Sequence, residues 1–267
     1  MSSDSNNQLK TVLNLLNELD RSINFEVYIP SLQKNISFKQ LTTEQLKRIL
    51  KTIIDVPLYN TEFILTINSI IKENCLAQDL DVNNLTVLDK QIILFKTRIE
   101  SVSSSYTFNI NDEQFEVSLS EKLTNFLNKQ INFEPETFTN NSYSVICTLP
   151  TLLTEDNLEK ELHKNVTFSI NTPEELRNAI GETFINEITK FINTIIINTT
   201  PFDLSAYSFK DRVKVIEKLP ISLIGDVIKY IEKYRNYVKE LYSFEITTNN
   251  GVTVEKEILQ DASFFNS

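Results

Sequence analysis

The residues that could do covalent or metal chemistry are few: one histidine, two cysteines and three glycines in 267 residues. His163 sits in the charged run Glu161-Leu162-His163-Lys164 and reads as a solvated residue rather than a general base. Cys75 and Cys147 lie in different segments with no Cys-x-x-Cys spacing, and without a secretory signal they read as reduced thiols. A closed zinc site needs four thiolate or imidazole ligands, which no stretch of the chain supplies. There is no glycine-rich phosphate loop and no His-Glu-x-x-His. The Glu174-Glu175 pair belongs to the first turn of a helix, where carboxylates complement the helix dipole. No catalytic, metal or cofactor-binding residue is therefore assigned. Lys229, Lys233, Arg235 and Lys239 alternate with Tyr230, Tyr234 and Tyr237 as a basic, aromatic helical segment. Against a nucleic-acid reading stand 36 Asp and Glu to 26 Lys and Arg, a net charge of -10 whose field repels nucleic acid and anionic membrane. The segment reads as a solvated helix face, with partner contact as the alternative. Phe264 and Phe265 are different. Each phenylalanine gains roughly 1.5–3 kcal/mol on burial, so the pair must dock, on its own domain or in a neighbouring protein.

The elements that would position these residues centre on Phe25 to Ile54. Phe25-Val27-Ile29 and Ile36-Phe38 alternate with polar residues and predict two strands of a hairpin. Thr42 and Gln45 then have capping-box spacing, and Leu46, Ile49, Leu50, Ile53 and Ile54 follow at helical spacing until Pro57. Ahead of this unit, Leu9, Val12, Leu13, Leu16 and Leu19 predict a helix that is either a docking arm or packs on its own domain. Beyond it the pattern predicts a helix from Phe63, a short helix over 89–95 feeding a strand over 96–101, and a hairpin over 106–119. A short helix over 120–128 and a loop over 132–142 follow. Tyr143, Val145 and Cys147 predict a strand, Thr154 caps a short helix to His163, and Val166-Phe168-Ile170 suggest another strand. Thr172-Pro173 opens a helix whose stripe runs from Leu176 to Ile195. Pro201 breaks it, and helices over 209–218 and 221–241 precede a hairpin with a type I′ turn at Asn250-Gly251. The fold class is α+β, with β-hairpin and helix units in the N-terminal half and a mainly helical C-terminal half ending in a β-hairpin. The expected organisation is an N-terminal helix or arm over 1–24, a lobe over 25–142 and a second lobe over 143–267. No apolar run reaches the roughly 18 residues that a membrane span requires, so no membrane insertion is expected.

The run Tyr28-Ile29-Pro30-Ser31-Leu32, with Lys34, Ile36, Phe38-Lys39 and Leu41-Thr42-Thr43-Glu44-Gln45, resembles the N-terminal signature of baseplate hub proteins of T-even-type contractile-tailed bacteriophages. Leu85-Thr86, Asp89 and Ile92 to Ile99 resemble the family's L-T-x-x-D … L-x-x-R-I segment, and Asp261 to Phe265 resembles its diphenylalanine end. The resemblance implies a non-enzymatic tail protein, a hub subunit or hub assembly factor, acting through contacts with other hub and tail proteins, with a possible oligomer within the tail assembly. It implies a location in the virion tail baseplate, or in the host cytoplasm during assembly. It also leads one to expect cysteine pairs in the hairpins; these are absent, so the hairpins are expected without metal. The candidate partner-binding residues are Tyr28, Pro30, Leu32, Phe38, Phe264 and Phe265. A general tail assembly chaperone binding the tape-measure protein is the alternative, and a tail-associated cell-wall hydrolase a more distant one.

Overall fold

A computed structural model describes residues 10–16, 23–55, 61–129, 133–165, 173–258 and 262–265. In chain order a helical segment α1 (residues 10–16) precedes the hairpin β1 (Asn24–Ile29) and β2 (Lys34–Lys39). Then come α2 (Thr43–Asp55), α3 (Thr61–Asn74), α4 (Val87–Ser101), the hairpin β3 (Ser105–Ile110) and β4 (Glu113–Ser118), and α5 (Leu119–Asn128). The strands β5 (Glu136–Asn140) and β6 (Tyr143–Cys147) lead to α6 (Leu152–Asn165), α7 (Pro173–Phe191), β7 (Ile192–Ile197) and β8 (Thr200–Asp203). Last are α8 (Phe209–Ile216), α9 (Ile221–Tyr242), the hairpin β9 (Ser243–Thr247) and β10 (Thr253–Glu257), and a 3-10 turn at Ala262–Phe265. The class is α+β, ending in the β-hairpin that the sequence predicts.

The chain forms two compact units whose segments alternate along the sequence: Met1–Val82, Ile92–Thr124 and Leu259–Ser267 make the first, Asn83–Gln91 and Asn125–Ile258 the second. Ser142, where the sequence suggests a lobe boundary, lies in the β5–β6 turn within the second unit.

In the first unit β1 and β2 pair antiparallel from Asn24↔Lys39 to Ile29↔Lys34, which puts Phe25, Val27, Ile29, Ile36 and Phe38 on one buried face. The capping box of α2 forms as its spacing predicts: Thr42 N–H donates to Gln45 Oε1 at 3.1 Å and Gln45 N–H to Thr42 Oγ1 at 3.2 Å. Gln45 also exchanges hydrogen bonds with buried Asn74 at 2.8 and 3.1 Å, so one side chain both starts α2 and ties it to the end of α3. After α3 the chain runs beside β2, with Leu76 N–H donating to Ser37 O at 3.0 Å.

The second unit is built on an antiparallel sheet of order β5-β6-β7-β8, with α9 against β5 and β6. Lys90 and Glu155, both buried, form an ion pair at 2.5 Å that joins the start of α4 to α6.

Several local expectations are corrected. Residues 96–101 are the end of one helix, α4, not a strand. Thr86 caps it, its N–H donating to the Asp89 carboxylate at 2.7 Å while Asp89 N–H donates to Thr86 Oγ1 at 3.2 Å. The loop expected over 132–142 contains β5, whose Thr-Phe-Thr centre pairs with β6. The helix stripe ends at Phe191, and Ile192 and Ile195 belong to β7. Pro201 lies inside a strand. Helix α6 starts at Leu152 with Thr151 as its cap, three residues ahead of the expected Thr154. In the last hairpin only Gly251 has positive φ (76°), and Gly251 N–H donates to Thr248 O at 2.9 Å, giving a three-residue loop with a glycine bulge in place of type I′. The strand expected over 166–170 and the cap at Thr172 lie outside the described residues.

Candidate functional site

Three of the candidate contact residues share the end of the β1–β2 hairpin. Tyr28 stands opposite Asn35 with 41% of its surface exposed. Pro30 sets the φ of a single 3-10 turn, Pro30–Leu32, and both of those residues are half-buried. Gln33 closes the turn in the left-handed region (φ 51°), its N–H donating to Pro30 O at 3.3 Å. Phe38 is not at this end. It is buried on the inner face of β2, where its ring packs 6.4 Å from that of Phe25.

Phe264 and Phe265 dock on their own unit. They are 1% and 2% exposed, and the turn that carries them contacts α2. The Phe264 ring lies 6.1 Å from Phe95 and 6.3 Å from Tyr106, with the Arg98 guanidinium 5.7 Å from its centroid. Arg98 Nε donates to Phe264 O, while its other nitrogens donate to Ser103 O at 2.5 Å and Ser105 O at 3.4 Å. A fully buried guanidinium thus holds three carbonyls, and burial pushes its pKa below the ordinary value, with Tyr106 opposing. Sequence reasoning left Arg98 without a role. The signal was an arginine inside the otherwise apolar run from Ile92 to Ile99.

The basic face of α9 is neutralised within its own unit. Lys229 pairs with Asp226 at 2.8 Å, Lys233 with Glu136 at 2.7 Å, Arg235 with Glu187 at 3.3 Å and Lys239 with Glu255 at 2.8 Å. Tyr230 is buried, edge-on to Phe133 and Phe191 at 5.8 and 6.3 Å, and burial raises its pKa. Tyr230 is therefore core, Tyr234 and Tyr237 are half-buried against Phe133 at 6.1 and 5.7 Å, and the cations between them already have carboxylate partners. Burial, helped by the charge of Glu136, pushes the Cys147 thiol up to about 12, where it is no nucleophile near neutral pH. Among the described residues no three His, Cys, Asp or Glu side chains cluster as metal ligands. The side chain of His163 lies outside the described residues.

The sequence pattern of one protein family, the T4 bacteriophage base plate protein, matches residues 21–266. The chain belongs to that family. As a phage base plate protein it is a structural component of the virion tail and works among other tail proteins. The match spans both compact units and begins after α1, whose Val12, Leu13, Leu15 and Leu16 are each about half exposed. No curated protein and no solved structure matches this base plate protein. No described helix is long and apolar enough to cross a membrane.

Proposed function

We propose that this base plate protein is a subunit of the central hub of a contractile phage tail, acting through protein contacts and not through catalysis. The observation that carries the reading is the family match over residues 21–266, together with the hub-like signature from Tyr28 to Gln45 and the diphenylalanine end. The geometry supports a division of labour among the signature residues. Tyr28, Pro30 and Leu32 sit where a neighbour can reach them, while Phe38, Phe264 and Phe265 shape the unit that presents them.

Quantitative mass spectrometry of purified mature particles beside tail intermediates and isolated hubs tests the reading. A fixed ratio in all three is the expected result. Presence only in intermediates makes the protein an assembly factor, and absence from isolated hubs refutes the hub assignment. Tyr28→Ala, at an exposed position, is expected to leave the folded chain intact and to lower its incorporation into tails.

A further inference from the structure

The backbone of β1 has one paired edge and one open one. In an antiparallel ladder the N–H and C=O of a residue point either toward the partner strand or away from it, alternating along the chain. Ser37 O accepts from Leu76 N–H, so Ser37 points away from β1, and its partner Glu26 must point away from β2. The alternation extends this to Asn24 and Tyr28, opposite Lys39 and Asn35. Among the described residues no backbone hydrogen bond reaches those three residues from outside the hairpin. All three side chains are exposed.

The chain treats another edge differently. Asn198 and Thr199 (φ 48° and 72°) make a two-residue turn between β7 and β8, which fixes Ile197↔Thr200 as a hydrogen-bonded pair and Ile196↔Pro201 as a pair facing outward. The missing N–H of Pro201 therefore faces the open edge, and the next outward residue, Asp203, has its carboxylate engaged by Ser205 N–H at 2.8 Å. Proline so placed blocks strand addition. The β1 edge has no proline, no lysine and an unbroken register. Among the described residues the β4 edge is also open, but it presents Gln114, Glu116 and Ser118 without an exposed apolar side chain to hold a partner.

We propose that the open edge of β1 is a docking site for an extended segment of another protein, added as a strand along Asn24, Glu26 and Tyr28, with a basic side chain facing Glu26. A second copy is the poorer occupant. The register that pairs all three outward residues sets Asn24 against Tyr28 and Glu26 against Glu26, and like charges directly opposite destabilise a strand pair. The net charge of -10 works in the same direction. This inference does not depend on the hub reading, since it asks only for a strand-shaped partner.

The probe is the chain itself, because Glu26→Lys turns one copy into an extended segment with a basic residue in the required place. Wild type, the Glu26→Lys chain and their equimolar mixture are compared by sedimentation equilibrium and residue-resolved amide exchange. The mixture is expected to associate about tenfold more tightly than either chain alone, the size of swing that one repulsive pair becoming attractive can give. The association should weaken with salt, and exchange at the Glu26 and Tyr28 amides should slow. Tyr28→Pro in both chains, which removes an outward N–H, should abolish the complex, while Tyr28→Ala, which keeps that N–H and loses only the exposed ring, should weaken it without abolishing it. If Tyr28→Pro does not fold, protection of the Glu26 and Tyr28 amides in the mixture decides. No tighter association in the mixture, or association without that protection, overturns the proposal. So does a wild-type dimer protected at the same amides, which would make a second copy the occupant.

Discussion

Replacing Phe264 by alanine should cost less than the same change in a closed core, because the segment that carries it can let go. A buried Phe→Ala change typically costs about 3–5 kcal/mol. Here the two phenylalanines contribute roughly 3–6 kcal/mol by burial, and the bond from the Arg98 cation to Phe264 O about 1.5–3 kcal/mol. Fixing the four residues of Ala262–Phe265 costs roughly 4–8 kcal/mol, at 1–2 per residue. Ring contacts with Phe95, Tyr106 and Phe265 add about 0.5–1.5 kcal/mol each, while freezing the rotamers of the two rings costs roughly 1–2 kcal/mol more, which leaves net docking at roughly 1–3 kcal/mol. That balance is a ceiling. Once Phe264→Ala releases the turn, Phe265→Ala has nothing left to lose, and the double variant should match a chain that ends at residue 261. Urea unfolding of the full-length variants, read through a probe in the first unit, measures this. Phe264→Ala is expected to lower the transition by about 1–3 kcal/mol, or roughly 3–8 °C in Tm. A single loss near 5 kcal/mol, or two single losses that sum to well beyond the deletion, would refute the release argument and make the segment an integral part of the core.

Thr86→Ala removes the acceptor for Asp89 N–H at the start of α4 and should cost about 1 kcal/mol in urea unfolding, with Thr86→Ser recovering most of it. Glu73 is pushed up by burial, but hydrogen bonds from Arg48, Ser69 and Gln45 outweigh this and hold its carboxyl at about 2, against an ordinary 4.5. A depressed carboxylate stabilises the fold above its unfolded pKa, so this contribution should be complete above about pH 4.5 and fade as pH falls toward 2. Because Arg48 and Glu73 are 37% and 41% exposed, solvent screening limits it to roughly 1 kcal/mol. Glu73→Gln should flatten that part of the stability-against-pH curve, and an unchanged acid limb would disprove the assignment. Cys147, fully buried with its thiol held up at about 12, should resist alkylation at pH 8 until the chain unfolds, whereas Cys75, half-buried, should react first in the folded protein. Peptide-resolved iodoacetamide labelling distinguishes the two.

What the sequence conveyed depended on whether the deciding interaction was local. Thr42 and Gln45 are three residues apart, so their reciprocal bonds could be read from spacing alone, and the helix starts where they predict. The same chemistry at Thr86 and Asp89 opens α4, although the β-branched Thr97 and Ile99 near its end have a local preference for strand. Burial of Phe95, Thr97 and Ile99 around the helix outweighs that preference. Ile188, Phe191, Ile192 and Ile195 fit helical spacing equally well, and only the pairing of Ile195 with Val145 and of Ile197 with Tyr143 makes the last part a strand. No local rule contains that partner. The diphenylalanine end shows the same limit: two adjacent apolar rings require a dock, but the dock is Arg98, 166 residues away.

The two strand edges carry this further. Pro201 is visible in the sequence, and by itself it reads as a break in a helix. It becomes a guard only because the turn at Asn198-Thr199 and the register with β7 aim its nitrogen at the open side. Glu26 likewise reads as an ordinary polar residue in an alternating strand. Its place at the centre of an open edge follows from Leu76 binding Ser37 on the far side of β2. In both cases the residue type is local information and the direction of the backbone is not. A charge repels an identical strand and admits a complementary one, whereas a proline refuses both, so the residue at each edge sets which strands can be added there.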